Sequence, residues 1–140
     1  MNGTSLLNRP GTNASAIERH ARASAGYADK LAQTVDVLRQ AAALGADAVT
    51  QASSLGAEDV VITHLINTLA LDIPIFVLDT GALHTETLAL LERTQADSRA
   101  PVQVYRPQFE AVMTFVRSHG QRAMYDSVAL RKSCCDIRTM

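Results

Sequence analysis

Two adjacent cysteines near the end of the sequence are its sharpest chemical feature. Cys134 and Cys135 are the two cysteines among 140 residues. Neighbouring Cα atoms lie about 3.8 Å apart, below the usual Cα–Cα range of a disulfide, which disfavours a bond between these two thiols. Two thiols in a chain without a secretory signal indicate metal or redox chemistry. The alternative is that both are small buried apolar side chains.

A short loop rich in serine and glycine is the second candidate. Ser53–Gly56 follows a β-prone run and precedes a helical pattern. Backbone N–H groups at such a helix start are unpaired and bind anions readily. The hydroxyls of Ser53 and Ser54 can donate to phosphoryl oxygens, and Gly56 lets a ligand approach the backbone. Ordinary turns between a strand and a helix use the same residues, so that interpretation stays open.

The charges near this loop do not suit a simple phosphate site. Glu58 and Asp59 follow it directly and would repel a phosphate, and the loop has no lysine, so it is not a Walker A motif. Compensating cations have to come from elsewhere in the chain. Arg131, Lys132 and Arg138 form one cationic group on a predicted helix, with a solvated helix face as the alternative.

A second polar turn follows the most apolar segment of the chain. Residues Ile75–Leu78 are continuously apolar, which predicts a central parallel strand. Asp79, Thr80 and Gly81 come directly after it. Because ligands of a parallel α/β sheet bind beyond the carboxyl ends of the strands, this turn and the serine-containing loop are expected to flank one cleft. His84 is near enough to line that cleft, with a capping or surface role as the alternative.

The elements that position these residues alternate between helices and short strands. Helices are predicted over residues 16–44 with a break at Gly26, and over 58–70, 85–95, 107–120 and 127–138, the last capped by Asp126. Strands are predicted over 48–52, 75–78 and 102–105. This alternation predicts an α/β fold, with a parallel sheet covered by helices on both faces.

The helical patterns also predict which side chains face the core. The expected inward positions are Ala28, Leu31, Ala32, Val35, Leu38, Ala42, Val61, Leu65, Leu69, Leu88, Leu91, Phe109, Val112, Met113 and Val116.

Length and composition limit the classes of protein that fit. A chain of 140 residues is long enough for one α/β core. A net charge of −1 provides no basic face, so no nucleic-acid partner is expected. No apolar run of about 18 residues occurs, so no membrane-spanning helix is expected. Residues 1–14 are predicted to be a disordered leader without a signal peptide, followed by a partial domain over 15–140 in the cytoplasm.

Three segments together resemble the assimilatory adenylyl-sulfate (APS) and phosphoadenylyl-sulfate (PAPS) reductases. They are SSLGAED at 53–59, LDTGALHTET at 78–87 and RKSCCDIR at 131–138, and the resemblance extends from about residue 30 to residue 138. It implies an adenine-nucleotide α-hydrolase-like fold, truncated at the C-terminal side. The serine-containing loop would bind the phosphosulfate end of the substrate, and the turn after the central strand would line the nucleotide cleft. The substrate-binding residues implied by the resemblance are Ser53, Ser54, Gly56, Asp79, Thr80, Gly81, Lys132 and Arg138.

The tandem cysteine resembles the iron–sulfur branch that acts on adenylyl sulfate. Cys134 and Cys135 would then be two of the four ligands of a 4Fe-4S cluster. The other cysteine pair and the nucleophilic cysteine of the family are expected beyond residue 140, so no catalytic residue is assigned and the chain alone is expected to be inactive. Thr139 stands where the family usually has lysine.

The resemblance also implies a mechanism and partners for the complete enzyme. A cysteine thiolate would attack the sulfate sulfur and release AMP, and thioredoxin would release sulfite from the resulting thiosulfonate. Three alternatives stay open: a PAPS reductase, a non-catalytic fragment that binds adenine nucleotide, and a homodimer that shares one cluster between two cysteine pairs.

Overall fold

The computed structural model describes residues 15–139, and the leader predicted over residues 1–14 lies outside them. In chain order the elements are α1 (Ala16–His20), α2 (Tyr27–Ala42), β1 (Gln51–Ser53), α3 (Ala57–Thr68), β2 (Ile75–Leu78), α4 (Thr85–Asp97), β3 (Val102–Tyr105), α5 (Phe109–His119), a 3-10 turn (Ala123–Tyr125) and α6 (Val128–Thr139). Within the described range, every helix is too short or too polar to cross a bilayer.

The three strands form one parallel sheet in the order β1-β2-β3. Ser53 pairs with Val77, and Leu78 pairs with Tyr105, so the carboxyl ends of all three strands meet at one edge. The strand β2 is central, as its continuous apolar run predicts. The predicted α/β fold with a parallel sheet is confirmed.

The core lies on the face of the sheet that carries Ile75 and Val77. Both side chains are almost fully buried, and burial of each contributes about 1.5–3 kcal/mol. Ile75 packs in a cluster with Ile66 of α3, against which Leu38 of α2 also packs. Val77 packs with Leu91 of α4. These contacts fix the register of the central strand and therefore the place where its polar end emerges.

The opposite face of the sheet is more open than the sequence predicts. It carries Ala52, Phe76, Leu78, Gln103 and Tyr105, of which all but Phe76 are exposed. Tyr105 meets Phe76 edge to face, with ring centroids 5.9 Å apart. The helix cover predicted on both faces is therefore dense on one face only, within residues 15–139.

Some of the predicted inward positions are exposed instead. In α3, Val61 is 55% exposed, whereas Thr63 and Ile66 are buried. The buried hydroxyl of Thr63 donates a hydrogen bond to Gln51 Oε1 at 2.9 Å. Because its hydroxyl has this partner, the polar side chain of Thr63 can be buried where the sequence pattern predicts only apolar side chains. In α4, Leu91 is buried as predicted, but Leu88 is exposed.

The helix α6 begins one residue later than predicted and is capped by a different side chain. Ser127 Oγ accepts a hydrogen bond from Leu130 N at 3.1 Å, which is the geometry of a helix cap. Asp126, the predicted cap, ends the 3-10 turn instead, because its N–H donates to Ala123 O. The buried side chains Phe115, Ala123 and Cys134 form the cluster between α5, this turn and α6.

The chain divides into two compact units, and the boundary lies inside α2, between Gln33 and Thr34. The first contains α1, where Ser15 and Glu18 form a reciprocal capping box. The second contains the sheet and the helices from α3 onward. In α2, Leu38 and Ala42 pack against the core as predicted. The extent of the domain predicted over 15–140 stays a prediction.

One polar side chain, Asn67 in α3, fixes the connection that leads into β3. Its Oδ1 accepts hydrogen bonds from Arg99 N at 2.6 Å and from Ala100 N at 3.0 Å. Its Nδ2 donates to Thr63 O at 2.9 Å. Since an apolar replacement leaves these backbone groups without their partner, Asn67 positions the start of β3.

We expect Asn67→Ala to lower the free energy of unfolding by about 1–3 kcal/mol, because two backbone N–H groups lose their acceptor. Urea denaturation measures the change. The control is Gln40→Ala, which removes one exposed contact within α2 and is expected to change stability by less than about 0.5 kcal/mol. Equal effects of the two substitutions would contradict the role of Asn67.

Candidate functional site

A cavity of about 580 Å³ lies beyond the carboxyl ends of β2 and β3. Three groups of residues form its walls: the turn after β2, the residues after β3, and one face of α5 with a side chain from α6. Such a position is where parallel α/β sheets bind ligands. The lining residues are Asp79, Thr80, Gly81, Arg106, Pro107, Phe109, Val112, Met113, Val116, Gln121 and Arg138.

Asp79 ties the two strand ends together. Its Oδ1 accepts a hydrogen bond from Gly81 N at 3.0 Å, and its Oδ2 accepts one from Arg106 Nε at 3.1 Å. Its own N–H donates to Tyr105 O at 2.9 Å. Gly81 has φ +72°, a left-handed conformation in which a side chain is strained, so the turn requires glycine there. The carboxylate is therefore held at both oxygens.

Arg138 brings a positive charge from α6 to this turn. Its Nη1 donates to Thr80 O at 2.6 Å. This acceptor is a carbonyl, and among the described residues no carboxylate forms an ion pair with this guanidinium. The lining thus contains two arginines and one aspartate. The structure brings together Asp79, Thr80, Gly81 and Arg138, four of the residues that the sequence predicted for one site.

The apolar wall of the cavity is the stripe of α5 that the sequence predicted as core. Val112, Met113 and Val116 are half-buried and face the cavity, and Phe109 is 75% exposed at its side. The buried core residue of α5 is Phe115 instead. Helical periodicity therefore identified the apolar face of α5 correctly, but this face lines a cavity and not the core. An apolar wall beside two cations suits a ligand with a ring and an anionic group.

Several donors of the serine-containing loop, predicted from the sequence as an anion site, form hydrogen bonds inside the loop. Ser54 donates from both its N–H and its Oγ to Asp59 Oδ2, each at 2.6 Å. Leu55 N donates to Ser53 Oγ, and Gly56 N donates to Ser54 Oγ, both at 3.2 Å. These four donors are therefore used within the loop, whereas the N–H groups of the first turn of α3 have no side-chain cap among the described residues. The predicted substrate-binding role of Ser53, Ser54 and Gly56 stays a prediction. The loop leaves the same edge of the sheet as the cavity, but none of its residues lines that cavity.

These hydrogen bonds lower the pKa of Asp59 below its usual value. The larger cause is the hydrogen bond from the Ser54 side chain, followed by the one from the Ser54 backbone N–H, and desolvation opposes both. Asp59 therefore stays ionised at neutral pH, and its carboxylate holds the loop by accepting both hydrogen bonds from Ser54.

The two cysteines point into different surroundings. Cys134 is 5% exposed and packs with Phe115 and Ala123, whereas Cys135 is exposed. Within residues 15–139, no three His, Cys, Asp or Glu side chains are grouped as metal ligands. Two thiols do not make a four-ligand site, so the described residues do not by themselves fit a 4Fe-4S cluster.

Two other predicted residues lie apart from the cavity. Lys132 is exposed on α6 and does not line it. His84 takes the N-cap position of α4 without a side-chain capping bond. Sequence reasoning missed Arg106, although the same rule that selected Asp79 applies to it, since Arg106 directly follows β3.

The fold is that of an α/β protein with a cavity at the carboxyl edge of a parallel sheet. Residues 48–140 match the phosphoadenosine phosphosulfate reductase domain, and the chain belongs to that family. The family predicted from the three sequence motifs is therefore confirmed.

Curated relatives of the chain carry the name adenosine 5'-phosphosulfate reductase. The protein of Burkholderia cepacia is 47% identical over 92 residues, which is 66% of this chain and 37% of the relative. That of Neisseria meningitidis serogroup B is 52% identical over 82 residues, which is 58% of this chain and 33% of the relative. That of Allochromatium vinosum is 38% identical over 94 residues, 67% of this chain and 37% of the relative. The chain spans about a third of the length of these relatives.

We expect the stabilising effect of Asp59 to depend on pH. Because its pKa is lower in the folded chain than the ordinary value of 3.8, its contribution is fully present above pH 3.8 and is lost as the pH falls through the lowered pKa. The difference in unfolding free energy between wild type and Asp59→Asn should therefore be largest near neutral pH and shrink in acid.

Urea denaturation over a series of pH values tests this prediction, with Glu58→Gln, the neighbouring carboxylate, as the matched control. A difference between wild type and Asp59→Asn that stays constant down to pH values well below 3.8 would contradict the pairing of Asp59 with Ser54.

Proposed function

We propose that the chain is the nucleotide-binding part of an APS reductase and that its cavity of about 580 Å³ binds adenylyl sulfate. The observation that carries the proposal is the meeting of two arginines, Arg106 and Arg138, at one turn beside an apolar wall. The names of the curated relatives support the choice of adenylyl sulfate among adenine nucleotides.

The chemistry of the cavity complements that of the proposed substrate. Adenylyl sulfate joins an adenine ring to a negatively charged phosphosulfate group. The side chains Val112, Met113 and Val116 offer an apolar surface to the ring. Arg138 carries a positive charge that no described carboxylate neutralises, and guanidinium groups bind phosphoryl and sulfuryl oxygens strongly. The volume is within the usual range of about 300–1,000 Å³ for small-molecule sites.

In the complete protein, the proposed reaction is the reduction of adenylyl sulfate to sulfite and AMP. A cysteine thiolate forms a bond to the sulfur, and the bond from sulfur to the phosphate oxygen breaks, so AMP leaves with the electron pair. One thiol of thioredoxin then attacks the cysteine sulfur, and sulfite leaves with the electron pair of the S–S bond. The second thiol resolves the mixed disulfide, which restores the cysteine and leaves thioredoxin as a disulfide. This chain contributes the binding and orientation of the nucleotide, and the nucleophile is proposed to lie outside its 140 residues.

The complete protein is also proposed to hold a 4Fe-4S cluster, with Cys134 and Cys135 as two of its four ligands. Cys134 is buried beside Phe115, and Cys135 is exposed. The two remaining ligands are not among the described residues. No step of the reaction is therefore assigned to the iron–sulfur group.

We expect the chain to bind both AMP and adenylyl sulfate, and Arg138→Gln to weaken this binding by about tenfold or more, because a charge-assisted hydrogen bond to the anion is lost. Isothermal titration calorimetry measures the dissociation constants, and PAPS is titrated alongside to test the alternative substrate. The control is Arg117→Gln, an exposed arginine of α5 that does not line the cavity. Absence of binding by wild type would contradict the proposal.

We expect the chain alone to form no sulfite from adenylyl sulfate and reduced thioredoxin, even after anaerobic iron–sulfur reconstitution, because the nucleophile is proposed to lie elsewhere. Sulfite is measured by ion chromatography after the protein is removed, and a complete reductase serves as the positive control. Sulfite formation that is abolished by Cys135→Ser would show that the nucleophile is in this chain.

A further inference from the structure

Arg106 is a second cation at the cavity, and its hydrogen bonds leave most of its donors unused. Its side chain is 66% exposed, and its Nε donates to Asp79 Oδ2 at 3.1 Å. A guanidinium has five N–H donors, and this is the one hydrogen bond that Arg106 makes to the described residues. The four Nη hydrogens of Arg106 are therefore available to a ligand in the cavity that it lines.

Arg106 and Arg138 form hydrogen bonds with neighbouring residues of a single turn. Arg106 bonds the carboxylate of Asp79, and Arg138 bonds the carbonyl of Thr80. Arg106 directly follows β3 and Arg138 belongs to α6, but both side chains line the same cavity. With one carboxylate between two cations, the cavity keeps an excess of one positive charge, which suits an anionic group bound by both arginines.

The contact between Asp79 and Arg106 differs from an ordinary surface ion pair. The side chain of Asp79 is 13% exposed, and its other oxygen is held by Gly81 N at 3.0 Å. The carboxylate of Asp79 is thus fixed before any ligand binds, and it orients the guanidinium of Arg106 by accepting its hydrogen bond. A pre-oriented arginine loses less side-chain entropy when an anion arrives than a free surface arginine would.

We propose that Arg106 binds the phosphosulfate group of the ligand through its Nη donors while its Nε stays on Asp79, so that Arg106 and Arg138 form a two-arginine clamp. The inference rests on the proposed nucleotide site and adds a binding residue to it. It requires the planar fork of arginine, because a lysine ammonium at this position reaches either the carboxylate or the anion but lacks the two separate edges needed for both.

The experiment compares three ligands that share adenine and ribose but differ in charge: adenosine, AMP and adenylyl sulfate. Dissociation constants are measured by equilibrium dialysis with labelled ligands. Arg106→Gln is expected to weaken AMP and adenylyl sulfate by about tenfold or more, with adenosine changed by less than about twofold. For AMP and adenylyl sulfate, Arg106→Lys should recover less than half of the affinity lost in Arg106→Gln, measured as the logarithm of the dissociation constant. The control Arg117→Gln should leave all three ligands unchanged.

Each outcome decides the role of Arg106. Equal weakening of all three ligands by Arg106→Gln would show a structural role and overturn the clamp, as would unchanged binding of AMP and adenylyl sulfate. Full recovery by Arg106→Lys would overturn the requirement for a fork. Retained adenosine binding reports that a variant is folded. If wild type binds neither AMP nor adenylyl sulfate, the proposed function itself fails, and this inference fails with it.

Discussion

The site depends on the carboxylate of Asp79 at the end of the central strand. Burial of Ile75 and Val77 fixes β2 in the middle of the sheet, and Asp79 follows as the first polar residue beyond it. One oxygen of Asp79 closes the turn to Gly81, and the other holds Arg106 after β3. The hydrophobic core thus sets the position of a single charged group, and that group aligns two loops at the edge of the sheet where the cavity lies.

The distribution of charge separates two parts of this edge. Around the cavity, two arginines face one carboxylate, so a positive charge remains for a ligand. In the serine-containing loop, Asp59 already occupies both donors of Ser54. An anion at that loop would have to displace an internal carboxylate whose pKa is lowered by those same hydrogen bonds. The positive charge that is not paired with a carboxylate therefore lies at the cavity, which is why we propose the cavity for the anionic end of the ligand.

The sequence predicted those features that follow from periodicity and from strand ends. The apolar run of β2 identified the central strand, and the rule for parallel sheets selected Asp79, Thr80 and Gly81. Motif resemblance identified the family, which the match over residues 48–140 confirms. Arg106 was within reach of the strand-end rule and was missed because a lone arginine after a short strand is also typical of a solvated turn.

Other features depend on contacts that a sequence pattern does not encode. The hydrogen bonds from Ser54 to Asp59 occupy two donors of the serine-containing loop, and they depend on the side-chain conformation of both residues. Asn67 bonds Arg99 and Ala100, more than thirty residues away. The apolar stripe of α5 and Arg138 of α6 line the same cavity, a long-range arrangement that helical periodicity alone does not predict.

The central claim is that an adenine nucleotide binds in the cavity between the turn after β2 and the apolar face of α5. Amide chemical shifts of the ¹⁵N-labelled chain, followed during titration with adenylyl sulfate, test it residue by residue. The account predicts that the largest changes occur at Thr80, Gly81 and Arg106 and along Phe109–Val116, with small changes at Ser54 and Gly56. Changes confined to the serine-containing loop, with the amides of the cavity unaffected, would contradict it.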